Sequence, residues 1–203
     1  MPTYDYTALP NGKCPCCSRG YEKHSPAGAN VSSAVELAVA ELARREHVAD
    51  AMAGAVIAKT TNGNEFKLVA ASGTNNVSGN HNGFDAANEP PTPLTGLLTI
   101  HGKPISTSSI NLANPYKPCA AIKLLHGLAL IARTKNIRWA SVSMYEEQFA
   151  KKALNGKTDT HGREKPTYAW TGHNYRAGTG SQFGAASCKD CMARIPVMFC
   201  DKA

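Results

Sequence analysis

Cysteine spacing carries most of the chemistry in this chain. Cys188-Lys189-Asp190-Cys191 is a C-x-x-C pair opening a helix that Ser187 is placed to cap, with Asp190 at the capping-box position. Residues i and i+3 share a helix face, so both sulfurs can reach one metal ion. The helix N-terminus also favours their thiolate forms. A redox pair, or half of a structural four-cysteine zinc site, are the other readings of such a pair. Cys119 follows Pro118 at the start of a second expected helix. Three thiolates, from Cys119, Cys188 and Cys191, leave a tetrahedral Zn2+ one open position for water, as in a catalytic site. A small core residue is the default for an isolated cysteine; a cysteine at two separate helix starts favours ligation.

A second group lies near the N-terminus. Cys14, Cys16 and Cys17 with His24 offer donors for a further, structural zinc, and Cys200 is an additional candidate. The alternative is a set of thiols in an irregular N-terminal segment. The cysteines number seven, an odd count, in a chain of 203 residues that is long enough to fold without disulfides. Metal ligation in a reducing compartment therefore fits better than a secreted disulfide framework.

The third group is charged and aromatic. Residues 155–186 interleave Lys157, Arg163, Lys165 and Arg176 with Tyr168, Trp170 and Tyr175, and include His173. Basic groups track phosphates and aromatic faces stack on unpaired bases; a surface hairpin packing its aromatics on the core is the plainer reading. The net charge of +7 is uneven: residues 151–203 hold nine Lys/Arg against four Asp/Glu, a net of +5. A local excess of this kind suits an anionic partner such as nucleic acid. His81, His101, His161 and His173 fall in expected loops, where each is ordinarily a solvent-exposed residue. His47 and His126 fall on expected helices and read as structural.

The elements that must position these groups follow from periodicity. Residues 1–32 form an irregular segment, and residues 33–203 a single α/β domain with long loops at 73–115 and 155–186. Ser33 and Glu36 make a capping box, and Val35, Val39 and Leu42 repeat at helical spacing, so a helix is expected from Ser33 to about Ala51. Residues 53–60 and 65–72 flank Asn62-Gly63 and read as a hairpin. One short strand is expected near 97–100 within the first long loop. Residues 119–133 are apolar nearly all round, as in a buried central helix. A strand is expected at 137–144, a short helix at 146–154, a helix at 187–195 ended by Pro196, and a last strand at 196–200. This order implies a mixed sheet in a three-layer α/β/α sandwich. No apolar run approaches the ~20 residues of a membrane span, and no signal-type segment follows Met1.

PYKPCAAIKLL (115–125) and ASCKDCMARI (186–195), with the helix–hairpin–helix–strand–helix order, resemble the zinc-dependent cytidine deaminase superfamily over roughly residues 33–200. That family places [His/Cys]-Ala-Glu at the start of one buried helix and Pro-Cys-x-x-Cys at the start of the next. The resemblance implies a zinc held by Cys119, Cys188 and Cys191, whose bound water attacks C4 of cytosine or C6 of adenine. Two positions depart from the pattern. Ser187 stands where Pro is usual, and Ala121 where the family has its proton-shuttling Glu. Alanine cannot carry a proton, and general acid–base catalysis contributes roughly 10²–10⁴-fold, so this chain is expected to be inactive. Deliberate Glu→Ala inactivation and a natural pseudoenzyme both account for Ala121; the otherwise intact motif favours the first.

The long loops and basic C-terminal quarter most resemble bacterial polymorphic-toxin deaminases. That likeness implies a hydrolase acting on cytosine in DNA or RNA. Its partners would be a single-stranded or flipped-out nucleic acid and an immunity protein, and its place the cytoplasm, its own or that of a target cell. A deaminase of free nucleosides, nucleotides or bases is the alternative enzyme. A non-catalytic, zinc-stabilised nucleic-acid-binding module is the alternative outside catalysis.

Overall fold

In the computed structural model, which describes residues 14, 17–19, 33–45, 51–74, 76–106, 116, 118–149 and 189–200, the apolar runs around Asn62-Gly63 pair as antiparallel strands β1 (Ala51–Thr60) and β2 (Glu65–Ala71). Gly63 donates its N–H to the Thr60 carbonyl at 3.0 Å and takes a φ of 86°, a left-handed value that glycine adopts without penalty.

Alternation along β1 divides the core in two. Ala53, Ala55 and Ile57 face one side, where they pack with Val69, Ala71 and the Val35, Ala38, Val39 and Leu42 stripe of helix α1 (Ser33–Arg45). Val56 and Ala58 face the other side with Leu68 and Ala70, beneath helix α2 (Ala120–Lys135) and helix α3 (Lys189–Met198). Helices therefore cover both faces of the sheet.

Strand β7 (Trp139–Phe149) pairs with β1 in the antiparallel sense, from Ala51 opposite Phe149 to Thr60 opposite Trp139. Because β2 and β7 both run antiparallel to β1, they are parallel to each other. A chain passing from β2 to β7 must recross the sheet, and α2 makes that crossing. Two short strands, β3 (Asn80–His81) and β4 (Phe84–Ala86), extend the other edge, giving the order β3-β4-β2-β1-β7. The β2–β4 pairing is parallel, so the five-stranded sheet is mixed. Strands β5 (Leu97–Leu98) and β6 (Pro104–Ile105) form a separate pair. Ile100 then ties two elements together: its carbonyl accepts the Trp139 indole N–H at 2.7 Å, and its N–H donates to the Met198 carbonyl at 2.7 Å.

Helix α2 is buried over most of its length and ends on Asn136, which has a φ of 49° and donates its N–H to the Ala132 carbonyl. Among the described residues no helix is long and apolar enough to cross a membrane.

The hairpin, the buried helix after Pro118 and the following strand stand where the residue pattern puts them. Five expectations are corrected. The first long loop carries four short strands, β3 to β6, where one near 97–100 was expected. Ala51 belongs to β1, so the first helix does not reach it. Residues 146–149 continue β7 where a helix was expected, because β1 offers ladder partners out to Ala51. The region 196–200 is not a strand: α3 runs through Pro196 to Met198. Cys191, Arg194, Ile195 and Met198 recur at helical spacing and all are buried, and that packed stripe outweighs the hydrogen bond proline cannot donate. His81 is buried, with Nε2 within 2.9 Å of the Ser78 carbonyl, where an exposed loop residue was expected.

Candidate functional site

The N-terminal turn of α2 is the point where the expected zinc chemistry meets the sheet. Pro118 fixes the approach, its carbonyl accepting the Gly73 N–H at 2.7 Å just past the end of β2. Cys119 is the N-cap residue, extended at φ −72° and ψ 149°, and its carbonyl accepts the Lys123 N–H at 3.0 Å. Its side chain makes no capping hydrogen bond, and the first turn contains no acidic residue.

The sheet supplies the missing acceptor. Oε1 of Glu146, on β7, accepts the backbone N–H of Ala121 at 2.6 Å in a buried setting. A carboxylate at a helix N-terminus is favoured by the helix dipole and by a charge-assisted hydrogen bond. The space for it comes from Gly54, which lies opposite Glu146 in the β1–β7 ladder. A Cβ on Gly54 would sit 3.1 Å from Glu146 Cγ and 3.0 Å from Leu124 Cδ1. Ala121 itself is wholly buried, 0% exposed, in the cluster shared by α2 and α3.

Two residues further, Lys123 is also buried and donates from Nζ to the Ala71 carbonyl at 2.8 Å. Burial pushes its pKa below the ordinary lysine value. His126 follows at i+7 from Cys119. It is buried, and burial pushes its pKa down against a smaller upward pull from Glu89.

Cys191 lies in the first turn of α3, buried, in the same core cluster that half-buried Cys119 packs against. Helices α2 and α3 pack together. Two of the three expected zinc ligands thus lie at the N-terminal ends of two packed helices, Cys119 as the N-cap of α2 and Cys191 in the first turn of α3. Cys188, the third, lies outside the described residues.

The N-terminal group resolves differently. The sulfurs of Cys14, Cys17 and Cys200 all lie within 4.8 Å of one another, close enough to bind one metal ion. Cys16 and His24, which completed the set expected from the sequence, lie outside the described residues, as do Lys165, Tyr168, Trp170, His173, Tyr175 and Arg176. Sequence reasoning missed Glu146 because its segment read as a helix; the alternation of Met144 and Tyr145 between the two core faces was the available signal.

Comparisons with family models, with known proteins and with solved structures return no match for this chain.

Proposed function

We propose that this chain is a zinc-dependent deaminase-type hydrolase domain directed at cytosine in nucleic acid, with its proton-shuttle position occupied by Ala121. The observation that carries this reading is the placement of Cys119 as N-cap of the buried crossover helix α2, with Cys191 on the first turn of packed α3. The donor set fits zinc: soft sulfurs at helix N-termini, where thiolates are favoured.

Cys119, Cys188 and Cys191 would hold the ion, which when bound supplies Lewis-acid activation of a water molecule. The chain's own residues do the rest. Glu146 anchors the first turn of α2 through the Ala121 N–H and so fixes Cys119 against the sheet. Ala121 presents only a methyl group where the deaminase pattern requires a carboxylate, so no side chain at this position moves a proton. The net charge of +5 over residues 151–203 supports a polyanionic substrate. In this reading the chain is a toxin-type enzyme working in a cytoplasm, with an immunity protein as its second partner.

Ala121→Glu tests the proposal. Uracil formation is assayed on single- and double-stranded DNA, RNA and free cytidine, with the Ala121 chain as control. Product from polynucleotides supports the reading; product from free cytidine alone replaces it with a nucleoside deaminase. A second reading, a zinc-stabilised nucleic-acid-binding module, is favoured by the close packing around Ala121, and no product from any substrate by a folded, zinc-loaded variant selects it.

A further inference from the structure

We propose that Cys14, Cys17 and Cys200 bind a second, structural zinc ion that clamps the N-terminal segment onto the end of α3. This site is independent of the deaminase reading. Tetrahedral zinc with Zn–S bonds of about 2.3 Å holds its sulfurs roughly 3.8 Å apart. The three sulfurs here already lie within 4.8 Å of one another, so a contraction of at most about 1 Å closes the site.

The local backbone is built to present them. Ser18 donates its N–H to the Cys14 carbonyl and Cys14 donates its own to the Arg19 carbonyl, each at 2.8 Å. Ser18 takes a φ of 59°, a left-handed value uncommon outside glycine. These two bonds tie Ser18 and Arg19 back to Cys14, and the sulfurs of Cys14 and Cys17 lie within 4.8 Å of each other. Cys200 arrives from the other end of the chain, its N–H held by the Val197 carbonyl at 3.0 Å just beyond α3.

Burial favours a metal over three clustered thiols. Cys14 is 1% exposed and Cys200 0%, both inside the main core, and Cys17 is half-buried at its edge. Thiolates are costly in such surroundings unless a cation compensates them, and soft sulfur ligands select zinc over hard ions such as Mg2+ and Ca2+. The fourth position of the zinc falls to water or another donor on the Cys17 side.

The site is distinct from the one at the helix starts. Cys191 sits in the first turn of α3 and Cys200 beyond its last, on the order of 10 Å apart along the axis at 1.5 Å per residue. A metal at Cys200 therefore anchors the far end of the helix whose near end carries Cys191. It also cross-links positions far apart in the chain, a long loop whose closure packing alone must otherwise maintain.

The test is metal stoichiometry on the full chain purified without chelators. Two zinc ions per chain are expected. Cys17→Ser and Cys200→Ser should each lose one of them and keep the other, whereas Cys119→Ser should lose the other. Loss confined to Cys119→Ser, with Cys17→Ser and Cys200→Ser unchanged, overturns the clamp and leaves the deaminase site standing; the reverse pattern overturns only the deaminase site. The unmodified chain gives a second readout that needs no variant. Cys17 should resist iodoacetamide while zinc is bound and react once a chelator removes it. Equal labelling before and after chelation, or a disulfide among the three residues by mass, also overturns the proposal.

Discussion

Glu146 on β7 and Ala121 on α2 are joined by a buried 2.6 Å hydrogen bond from the Ala121 backbone N–H to Glu146 Oε1. A strand thus caps a helix whose own N-cap residue, Cys119, does not. Removing the acceptor should leave a buried N–H unpaired at a cost of about 1–3 kcal/mol. Glu146→Ala is expected to lower unfolding stability by that amount in urea titrations, and Glu146→Gln by less, since its amide oxygen still accepts. Equal, negligible effects of both would show that the contact does not stabilise α2.

Introducing glutamate at 121 puts a second carboxylate beside the first. Ala121 has no exposed surface, so the new side chain enters packed space in the turn whose N–H Glu146 already binds. Ala121→Glu should gain deaminase activity by roughly 10²–10⁴-fold over the parent while losing stability. Like charges in one site raise the pKa of one member. Adding Glu146→Gln should therefore recover part of the lost stability, measured by denaturant midpoint.

His126 makes stability depend on acid. Its folded-state pKa is pushed below the ordinary 6.5, chiefly by burial. The unfolded chain then binds its proton at higher pH than the folded one, so stability is complete above 6.5 and falls as pH drops below that value. His126→Leu should remove this part of the acid-side loss. Parallel stability curves for the two proteins below that pH would contradict the assignment.

Gly54 should resist enlargement. Its Cβ would meet Leu124 Cδ1 at 3.0 Å and Glu146 Cγ at 3.1 Å. Gly54→Ala is expected to cost about 1–3 kcal/mol by overpacking. Combining it with Leu124→Ala should cost less than the sum of the two changes, and strict additivity in that cycle would exclude the steric explanation.

The basic aromatic segment is testable by binding. Replacing Lys165 and Arg176 with alanine should weaken single-stranded nucleic-acid binding and flatten its salt dependence. Trp170→Ala should cost roughly 1–3 kcal/mol where a base stacks on the indole. Unchanged affinity in both variants would reassign the segment to packing.

Local chemistry made part of this molecule legible from residues alone. Asn62-Gly63 between two apolar runs specifies a hairpin because few residues other than glycine take the left-handed turn. Pro118-Cys119 before a segment apolar nearly all round specifies the start of a buried helix because proline suits the helix entrance. Cysteine spacing raises the expectation of metal ligation, and Cys14, Cys17 and Cys200 do lie close enough to bind one ion. Tertiary structure decided the rest. Glu146 reads as the start of a short helix, and became a cap only because β1 pairs along the whole of β7. Pro196 reads as a helix end, yet the stripe from Cys191 to Met198 holds the helix past it through burial against α2. Cys14 and Cys17 lie more than 180 residues from Cys200, and no local pattern relates them. Only the packing of both chain ends on one core brings their sulfurs within 4.8 Å, because long-range proximity is a property of the folded core and not of spacing along the chain.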